Sequence, residues 1–389
     1  MTLWNNSVDP RLLVDFVVRS DAPNKSGGDS LQVDEYIVRL EERGVDCRLV
    51  PYRVSMVFRE NAIVHIVNMD RPFDLLSSIS AAAGHVILVS PIHHDLKFVR
   101  RMRLAETGWA PRATLGRLLP ESARELLAFG ARSLCAEITV KGRVGTARAF
   151  CGAILDAPQA WNKVGRALDR VAAVALLTRG EGSNIQRDTG WLGLNAILVP
   201  NGSPDFNRSS VKPVESSSRS LGILSVGRIE PRKRQVELAQ AAIRQNVEIV
   251  FVGSIPIGGS RYSDKFIQVV GESKGLLTYK GAVPHADVLT LMSDARVLIN
   301  ASWVEVQSLV DIEAAFSGCS VVVAGGGNSR EFLPDHVHEV LGSPDEVLAR
   351  AVLVRNTIRV VDYPSSVWSW EDATNALVEA YEEATVSPI

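Results

Sequence analysis

Residues 297–324, VLINASWVEVQSLVDIEAAFSGCSVVVA, decide how the chain is to be read. Val297–Asn300 is a short apolar run of the kind that forms a buried parallel strand. Ala301–Ser308 reads as a loop. Leu309–Phe316 puts Leu309, Ile312 and Phe316 on one helical side, Gly318 stops the helix, and Ser320–Ala324 is the next buried strand. A helix that starts at the carboxyl end of a parallel strand presents backbone N–H groups and the positive end of its dipole, which suits a phosphate. Glu305 stands just before this helix and Glu313 lies eight residues on. Carboxylates repel phosphate but accept hydrogen bonds from hydroxyls, as on a ribose or a hexose. The stretch therefore suggests a diphosphate flanked by sugars. Taken alone it allows a second reading, a solvated Glu305 and a Glu313 that merely complements the helix dipole.

The chain around it has 389 residues, which sets a prior of two domains. It is 46% hydrophobic and 22% charged with a net charge of −2, which gives no global pull toward nucleic acid. Cys47, Cys135, Cys151 and Cys319 are far apart and form no C-x-x-C, so neither a zinc site nor a disulfide framework is implied. Cys319 reads as a reduced, packed thiol. No apolar run reaches about 18 residues, so no membrane span is expected. The opening MTLWNNSVDPRLLVDFVV lacks the basic-then-apolar layout of a signal peptide, and a cytoplasmic setting fits.

Strand and helix patterns alternate from the start. Leu12–Val18, Asp46–Val50, Ala62–Val67 and Val86–Ser90 read as strands, and Ser30–Glu42 reads as a helix ended by Gly44. Arg170–Leu177 and Ile197–Val199 are further strands. Gly27-Gly28 turns the chain at the carboxyl end of the first strand, either as a tight turn or as a close backbone approach to a ligand. Residues 203–219 are rich in Ser and Pro and read as an interdomain linker. A second series follows: strands Leu221–Val226, Val247–Val252 and Leu276–Tyr279, helices Gln235–Arg244 and Ala286–Ser293, and a Gly-rich loop over Gly253–Ser263. A helix over Trp370–Ala384 closes the chain. Such alternation means two parallel, doubly wound sheets. Residues 97–148 look less regular and carry eleven Lys or Arg against four Glu. That segment suits an anionic membrane surface or an anionic acceptor, or is a solvated helical face.

Arg228 and Lys233 sit in the loop after the first strand of the second series, at the sheet edge where such folds hold anions. Gly227 allows a tight turn there and Pro231 fixes the loop. Together with the helix at 309 they would neutralise a diphosphate without a metal. No Asp-x-Asp or His/Asp cluster points to Mg²⁺ or Mn²⁺, and Asp29 and Asp95 read as isolated. His93 and His94 follow the fourth strand, beside the expected ligand edge, and are candidates to touch a substrate sugar; Asp95 is grouped with them on the acceptor side. The sequence has no P-loop, no G-x-S-x-G elbow, no H-E-x-x-H and no G-x-G-x-x-G, so nicotinamide redox chemistry is poorly supported.

These residues resemble the GT-B glycosyltransferases, and among them the large retaining group known as family 4 (glycosyl transferases group 1). The resemblance rests on Gly27-Gly28 before a helix, on Pro200-Asn201-Gly202, on Gly227-Arg228-Ile229-Glu230-Pro231-Arg232-Lys233, and on Glu305-(seven residues)-Glu313 followed by Ala314, Ala315 and Gly318. Ser369-Trp370-Glu371…Tyr381 is similar to the family's closing helix. The resemblance implies an α/β GT-B architecture of two doubly wound, Rossmann-like domains facing a central cleft. The implied boundaries are 1–205, a linker over 206–219, a nucleotide-sugar domain over 220–368, and a helix over 369–389 packing back on the first domain.

The resemblance also implies roles. Arg228 and Lys233 hold the donor diphosphate, Glu305 meets the transferred sugar, and Glu313 accepts from the ribose. Val306, Gln307, Ser308 and Leu309 offer backbone groups to sugar and phosphate, Val283 lies beside the base, and Gly28 closes over the phosphates. His94, or His93, reaches the donor sugar or the acceptor hydroxyl. Many members have Gly-Phe-Gly where this chain has Val306-Gln307-Ser308, which bears on donor preference. The expected activity is a metal-independent, retaining transfer of a sugar from a nucleotide-sugar to a hydroxyl of a glycan or lipid-linked acceptor, in surface polysaccharide assembly. Its expected setting is the cytoplasm, with peripheral contact to an anionic membrane through 97–148 and no cofactor. The alternatives are a catalytically weak nucleotide-sugar-binding partner of another transferase, or another GT-B enzyme such as a sugar epimerase.

Overall fold

The computed structural model of the chain describes residues 12–22, 27–105, 121–136, 140–203, 219–256, 258–357 and 367–386. These fall into two compact units. One takes the described residues within 1–94, 115–202 and 368–389, the other those within 95–114 and 203–367.

In the first unit the strands are β1 (Leu13–Val18), β2 (Asp46–Pro51), β3 (Ile63–Val67), β4 (Ile87–Ser90), β5 (Ala173–Leu176) and β6 (Ala196–Leu198). They form one sheet in the order β2-β1-β3-β4-β5-β6, parallel at every pairing. β3, β4 and β5 are buried along their whole length, which is why they are runs of Val, Ile, Leu and Ala rather than alternating ones, with His65 and Ser90 the two polar members. Around the sheet lie α1 (Gly28–Glu42), α2 (Pro72–Ala81) and the closing helix of the chain, Trp370–Val386. This last helix meets α1 through an edge-to-face contact of Tyr36 with Trp370. It meets β3 through Tyr381, whose hydroxyl lies 2.6 Å from His65 Nδ1. The other ring nitrogen of His65 bonds Ser90, and burial pushes its pKa down to about 3. Gly202 explains itself here, since a Cβ at that place would sit 2.2 Å from the backbone nitrogen of Trp370.

The second unit repeats the scheme with β7 (Leu221–Val226), β8 (Ile249–Val252), β9 (Leu277–Tyr279), β10 (Ala295–Asn300), β11 (Ser320–Ala324) and β12 (Val337–Val340). Their order is β12-β11-β10-β7-β8-β9, again all parallel. In chain order the remaining helices are α3 (Leu96–Ala105), α4 (Glu121–Ala136), α5 (Val140–Asp156), α6 (Ala160–Leu168), α7 (Arg179–Thr189), α8 (Gln235–Gln245), α9 (Arg261–Glu272), α10 (His285–Asp294), α11 (Leu309–Phe316), α12 (Ser329–Phe332) and α13 (Pro344–Arg355), which makes the closing helix α14. Of these, α3 and α8–α13 group with the second unit.

Three expectations change. The segment 97–148 is not irregular where it is described: it supplies α3, α4 and the first half of α5, and its described basic residues sit on helices, while Arg112 and Arg117 lie outside the described residues. The loop over Gly253–Ser263 ends early, because Ser260 and Ser263 form a capping box that starts α9 at Arg261. The linker over 206–219 lies outside the described residues except for Arg219. That residue is buried and donates to the carbonyls of Met292, Ala295 and Ser317, so it belongs to the packed unit. Cys319 beside it is a buried thiol that donates to the carbonyl of Met292, and burial pushes its pKa up to about 12.

Candidate functional site

β10 stops at Asn300 and α11 starts at Leu309, and a buried hydrogen-bond lattice fixes the loop between them. Ser308 caps the helix, its hydroxyl accepting from the N–H of Asp311. Asn300 Nδ2 donates to Asp311 Oδ1 at 2.9 Å, and the Asn300 side-chain oxygen Oδ1 accepts from Ser302 Oγ at 2.6 Å. Ser329, at the start of α12, donates to Asp311 Oδ2 at 2.6 Å. A single carboxylate thus ties the end of β10, the first turn of α11 and α12 together. Burial pushes its pKa up to about 6 against the pull of those donors.

Against this loop sits the turn Gly227–Gln235. Pro231–Lys233 is a single 3-10 turn, and Arg234 leaves it in the left-handed conformation, with φ 56°. Its guanidinium lies over the Trp303 ring, 4.1 Å from the centroid. The Trp303 N–H donates to the Arg232 carbonyl at 2.8 Å, and Arg232 Nη1 donates to the Val304 carbonyl at 3.1 Å. Glu305 closes the arrangement: its Oε1 lies 2.5 Å from Lys233 Nζ and 3.1 Å from Arg232 Nη1. Burial would raise the Glu305 pKa, but the two cations hold it well below the usual carboxylate range. The backbone lies close because Gly227 and Gly253 directly follow β7 and β8; a Cβ on Gly253 would fall 2.0 Å from the Gly227 carbonyl oxygen. Arg228, Arg232, Lys233 and Arg234 are thus gathered beside the start of α11, with Glu230 and Glu305 among them and Glu237 and Asp311 within electrostatic reach.

Glu313 lies one turn further along α11. Its side chain is buried and receives His285 Nε2, from the start of α10, at 2.9 Å. Burial raises its pKa and His285 lowers it. Val283 precedes α10 and packs at the edge of the core under α11.

The sequence reading and the geometry differ in detail. Glu305 and Lys233, assigned separately to sugar and phosphate, are partners of each other. Arg232, passed over in the sequence, holds Glu305 with Lys233. Arg228 is the more exposed cation and lies 3.4 Å from Glu230. Val306, Gln307 and Ser308 are all buried, Leu309 is half-buried, and the Val306 carbonyl accepts from Asn328 Nδ2 at 3.1 Å. Asn300, Asp311 and Ser329 were missed because nothing in their spacing marks them; only the fold brings them together.

In the first unit, Gly27 precedes α1 and Gly28 begins it. Asp29, read as isolated, accepts from Arg19 at 2.5 and 3.1 Å and braces this turn. His93 is 1% exposed. Its nitrogens lie 3.3 Å from Asp70 and 3.0 Å from Asp188, and its ring packs on Trp161. The ring expected to meet an acceptor is thus packed inside the first unit. The backbone N–H groups of His93 and Leu177 both donate to the buried Glu181. His94 is more exposed and its Nδ1 meets Asp70. Asp95, grouped with them on the acceptor side, is buried and accepts from the N–H of Lys97 at the start of α3.

Residues 220–356 match the model of the family Glycosyl transferases group 1. The D-inositol 3-phosphate glycosyltransferase of Mycobacterium tuberculosis is 28% identical over 174 residues, which is 41% of this chain and 36% of that protein, so the match spans about a third of the relative's length. Sucrose-phosphate synthase from Thermosynechococcus elongatus superposes with a TM-score of 0.64 at 13% identity, covering 97% of this chain and 100% of that one. Anabaena HepE in complex with UDP gives 0.56 at 13% identity, covering 96% of each chain.

Proposed function

From the premise that residues 220–356 are a glycosyl transferases group 1 domain on a GT-B fold, we propose that this protein transfers a sugar from a nucleotide-sugar to a hydroxyl acceptor. The observation that carries the proposal is the Arg232–Glu305–Lys233 cluster at the N-terminus of α11, with Glu313 one turn away. A nucleoside diphosphate is already a good leaving group and needs its developing charge stabilised more than it needs a proton. Lys233, Arg228 and the start of α11 supply fixed positive charge for that. Glu305 is ionised and orients Lys233, while its remaining lone pairs suit hydroxyls of the transferred sugar. Glu313 accepts from the ribose.

In the retaining course we propose, the bond from the anomeric carbon to the leaving phosphate oxygen breaks as the acceptor oxygen bonds that carbon on the same face. The acceptor proton passes to the departing phosphate. Two carboxylates on one loop–helix element do not straddle a scissile bond as in retaining glycosidases. The assignment to surface glycan assembly, metal independence, peripheral membrane contact through 97–148 and a cytoplasmic setting belong to the same proposal. No helix among the described residues is long and apolar enough to cross a membrane.

A panel of UDP-, GDP-, ADP- and dTDP-sugars in a thermal-shift assay tests the reading, because a ligand of the native state raises Tm. Absence of any shift, with no donor turnover, would sink it. A second reading, a nucleotide-sugar-binding protein with weak catalysis, is favoured by one observation: Lys233 and Arg232 are already spent on Glu305. Donor binding without transfer or hydrolysis across an acceptor panel would select it.

A further inference from the structure

His285 enters none of the roles above, yet it touches Glu313. We propose that His285 is a positioning residue for the nucleotide ribose, holding Glu313 ionised and turned so that its second oxygen meets the ribose hydroxyls. The inference rests on the proposed donor site and sharpens it to a ribonucleotide whose hydroxyls are read by a His–Glu pair.

Three observations support it. Glu313 is 8% exposed at its side chain, in a place where an unpartnered carboxylate would tend to keep its proton. His285 Nε2 lies 2.9 Å from Oε1, and no other hydrogen bond to this carboxylate occurs among the described residues, so Oε2 keeps its lone pairs for a ligand hydroxyl. His285 is 58% exposed, so its ring reaches in from the outer side and is not fixed by burial. Titratable and charged groups on the elements packed around α11 are His285, Asp287 and Asp294 of α10, Arg296 of β10, Arg330 and Glu331 of α12, Asp311 of α11 itself and Arg219 below its far end. Of these, His285 alone acts on Glu313, and it does so against the burial that raises the carboxyl. The placement of His285 at the first residue of α10 follows from Pro284, which cannot continue a helix backward and directs the chain into α10.

The test is calorimetric titration of the full chain with UDP, and side by side with GDP and ADP, for the native protein and for His285→Ala, His285→Gln and Glu313→Ala. Removing a hydrogen bond to a charged group corresponds to a loss of about tenfold in affinity, so His285→Ala is expected to bind about tenfold more weakly at neutral pH. His285→Gln keeps an N–H donor and is expected to recover most of that loss. A merely structural His285 would not move the pH profile, whereas this role does. Without His285 the Glu313 carboxyl takes up its proton at higher pH, so nucleotide binding fails on acidification at a higher pH in His285→Ala than in the native chain. The 2′,3′-dideoxy form of the nucleotide that binds is expected to show no difference between native and His285→Ala protein. Equal affinity and an equal acid limit in the two proteins, while Glu313→Ala loses binding, would overturn the inference and leave the donor site standing. Failure of every nucleotide to bind the native chain, or unchanged binding by Glu313→Ala, would overturn both.

Discussion

Lys233 Nζ lies 2.5 Å from Glu305 Oε1, across seventy-two positions of sequence, and this pair joins the turn after β7 to the loop after β10. Both side chains are mostly shielded, at 13% and 15% exposure. A pair in that situation has given up water, so its geometry matters more than that of a surface ion pair.

Lys233→Ala removes one of the two cations on Glu305 and leaves Arg232 in place. A stability loss of about 1–2 kcal/mol is expected, well short of the cost of a buried charge left alone. Donor turnover is expected to fall about 10²–10³-fold, the scale for losing one preorganised charge that faces a leaving group. Urea titration and initial rates on the same preparation measure both. Native turnover in a folded Lys233→Ala protein would remove Lys233 from the proposed site.

Two carboxylates six residues apart give opposite pH signatures. The Glu305 pKa is held below its ordinary value, so its contribution is present above about pH 4.5, the unfolded value, and is lost as pH falls through the folded one. Asp311 is raised from 3.8 to about 6, so the folded state holds its proton longer than the unfolded chain does, and stability falls as pH rises between those values. The stability gap between native protein and Asp311→Asn is therefore expected to shrink by on the order of 2 kcal/mol from pH 4 to pH 6.5. The gap to Glu305→Gln is expected to shrink in the other direction, on acidification below pH 4.5. Chemical unfolding at a series of pH values reads both, and gaps that stay flat would refute the two assignments.

The turns that bring these residues together are sterically exacting. Gly253 has φ +148° and its Cβ would lie 2.0 Å from a backbone oxygen of Gly227. Neither atom is the end of a flexible side chain, so Gly253→Ala must separate the ends of β7 and β8. We expect a loss of about 3 kcal/mol or more, the range for combined backbone strain and overpacking. Gly258→Ala, also at positive φ but with nothing within 4 Å of the added methyl, is expected to cost about 1 kcal/mol. Equal Tm losses for the two variants would contradict the close approach.

The fold was legible wherever a strand is an unbroken apolar run between turn residues. β7, α11 and β11 match their expected limits residue for residue. Helices whose apolar residues are sparse or mixed with charge were missed: α7, RGEGSNIQRDT, carries little apolar pattern and is held by its Thr178 cap and by Glu181 inside the unit. Site residues were legible when they carried charge at a sheet edge, as Lys233, Glu305 and Glu313 do. The contacts among them were not, since the sequence cannot say that Lys233 and Glu305 face each other or that Asp311 points inward to Asn300. His93 shows the same limit from the other side. A histidine at a strand end reads as exposed, and only the fold shows its ring buried against Asp70, Asp188 and Trp161.

That burial makes its own prediction. Asp70 and Asp188 outweigh the desolvation of His93 and lift its pKa from 6.5 to about 9. Its contribution to stability is then fully present below pH 6.5 and is lost as pH rises through 9. Glu181, whose carboxylate accepts from the His93 N–H, is raised from 4.5 to about 7, so it too makes stability fall with rising pH, over a lower interval. The two effects run in sequence, and the native chain is expected to lose on the order of 2 kcal/mol between pH 6.5 and pH 9 through His93. His93→Gln keeps a polar side chain against Asp188 without a titrating ring. It is expected to be less stable than the native chain at pH 6, with the gap narrowing steadily to pH 9. Because His93 has no accessible edge, nucleotide affinity in the second unit is expected to be unchanged by this substitution. Chemical unfolding across that range, with calorimetry at pH 7, separates the outcomes. A pH-independent gap, or a loss of nucleotide binding in a folded His93→Gln protein, would show that His93 is not the buried charge partner inferred from its contacts.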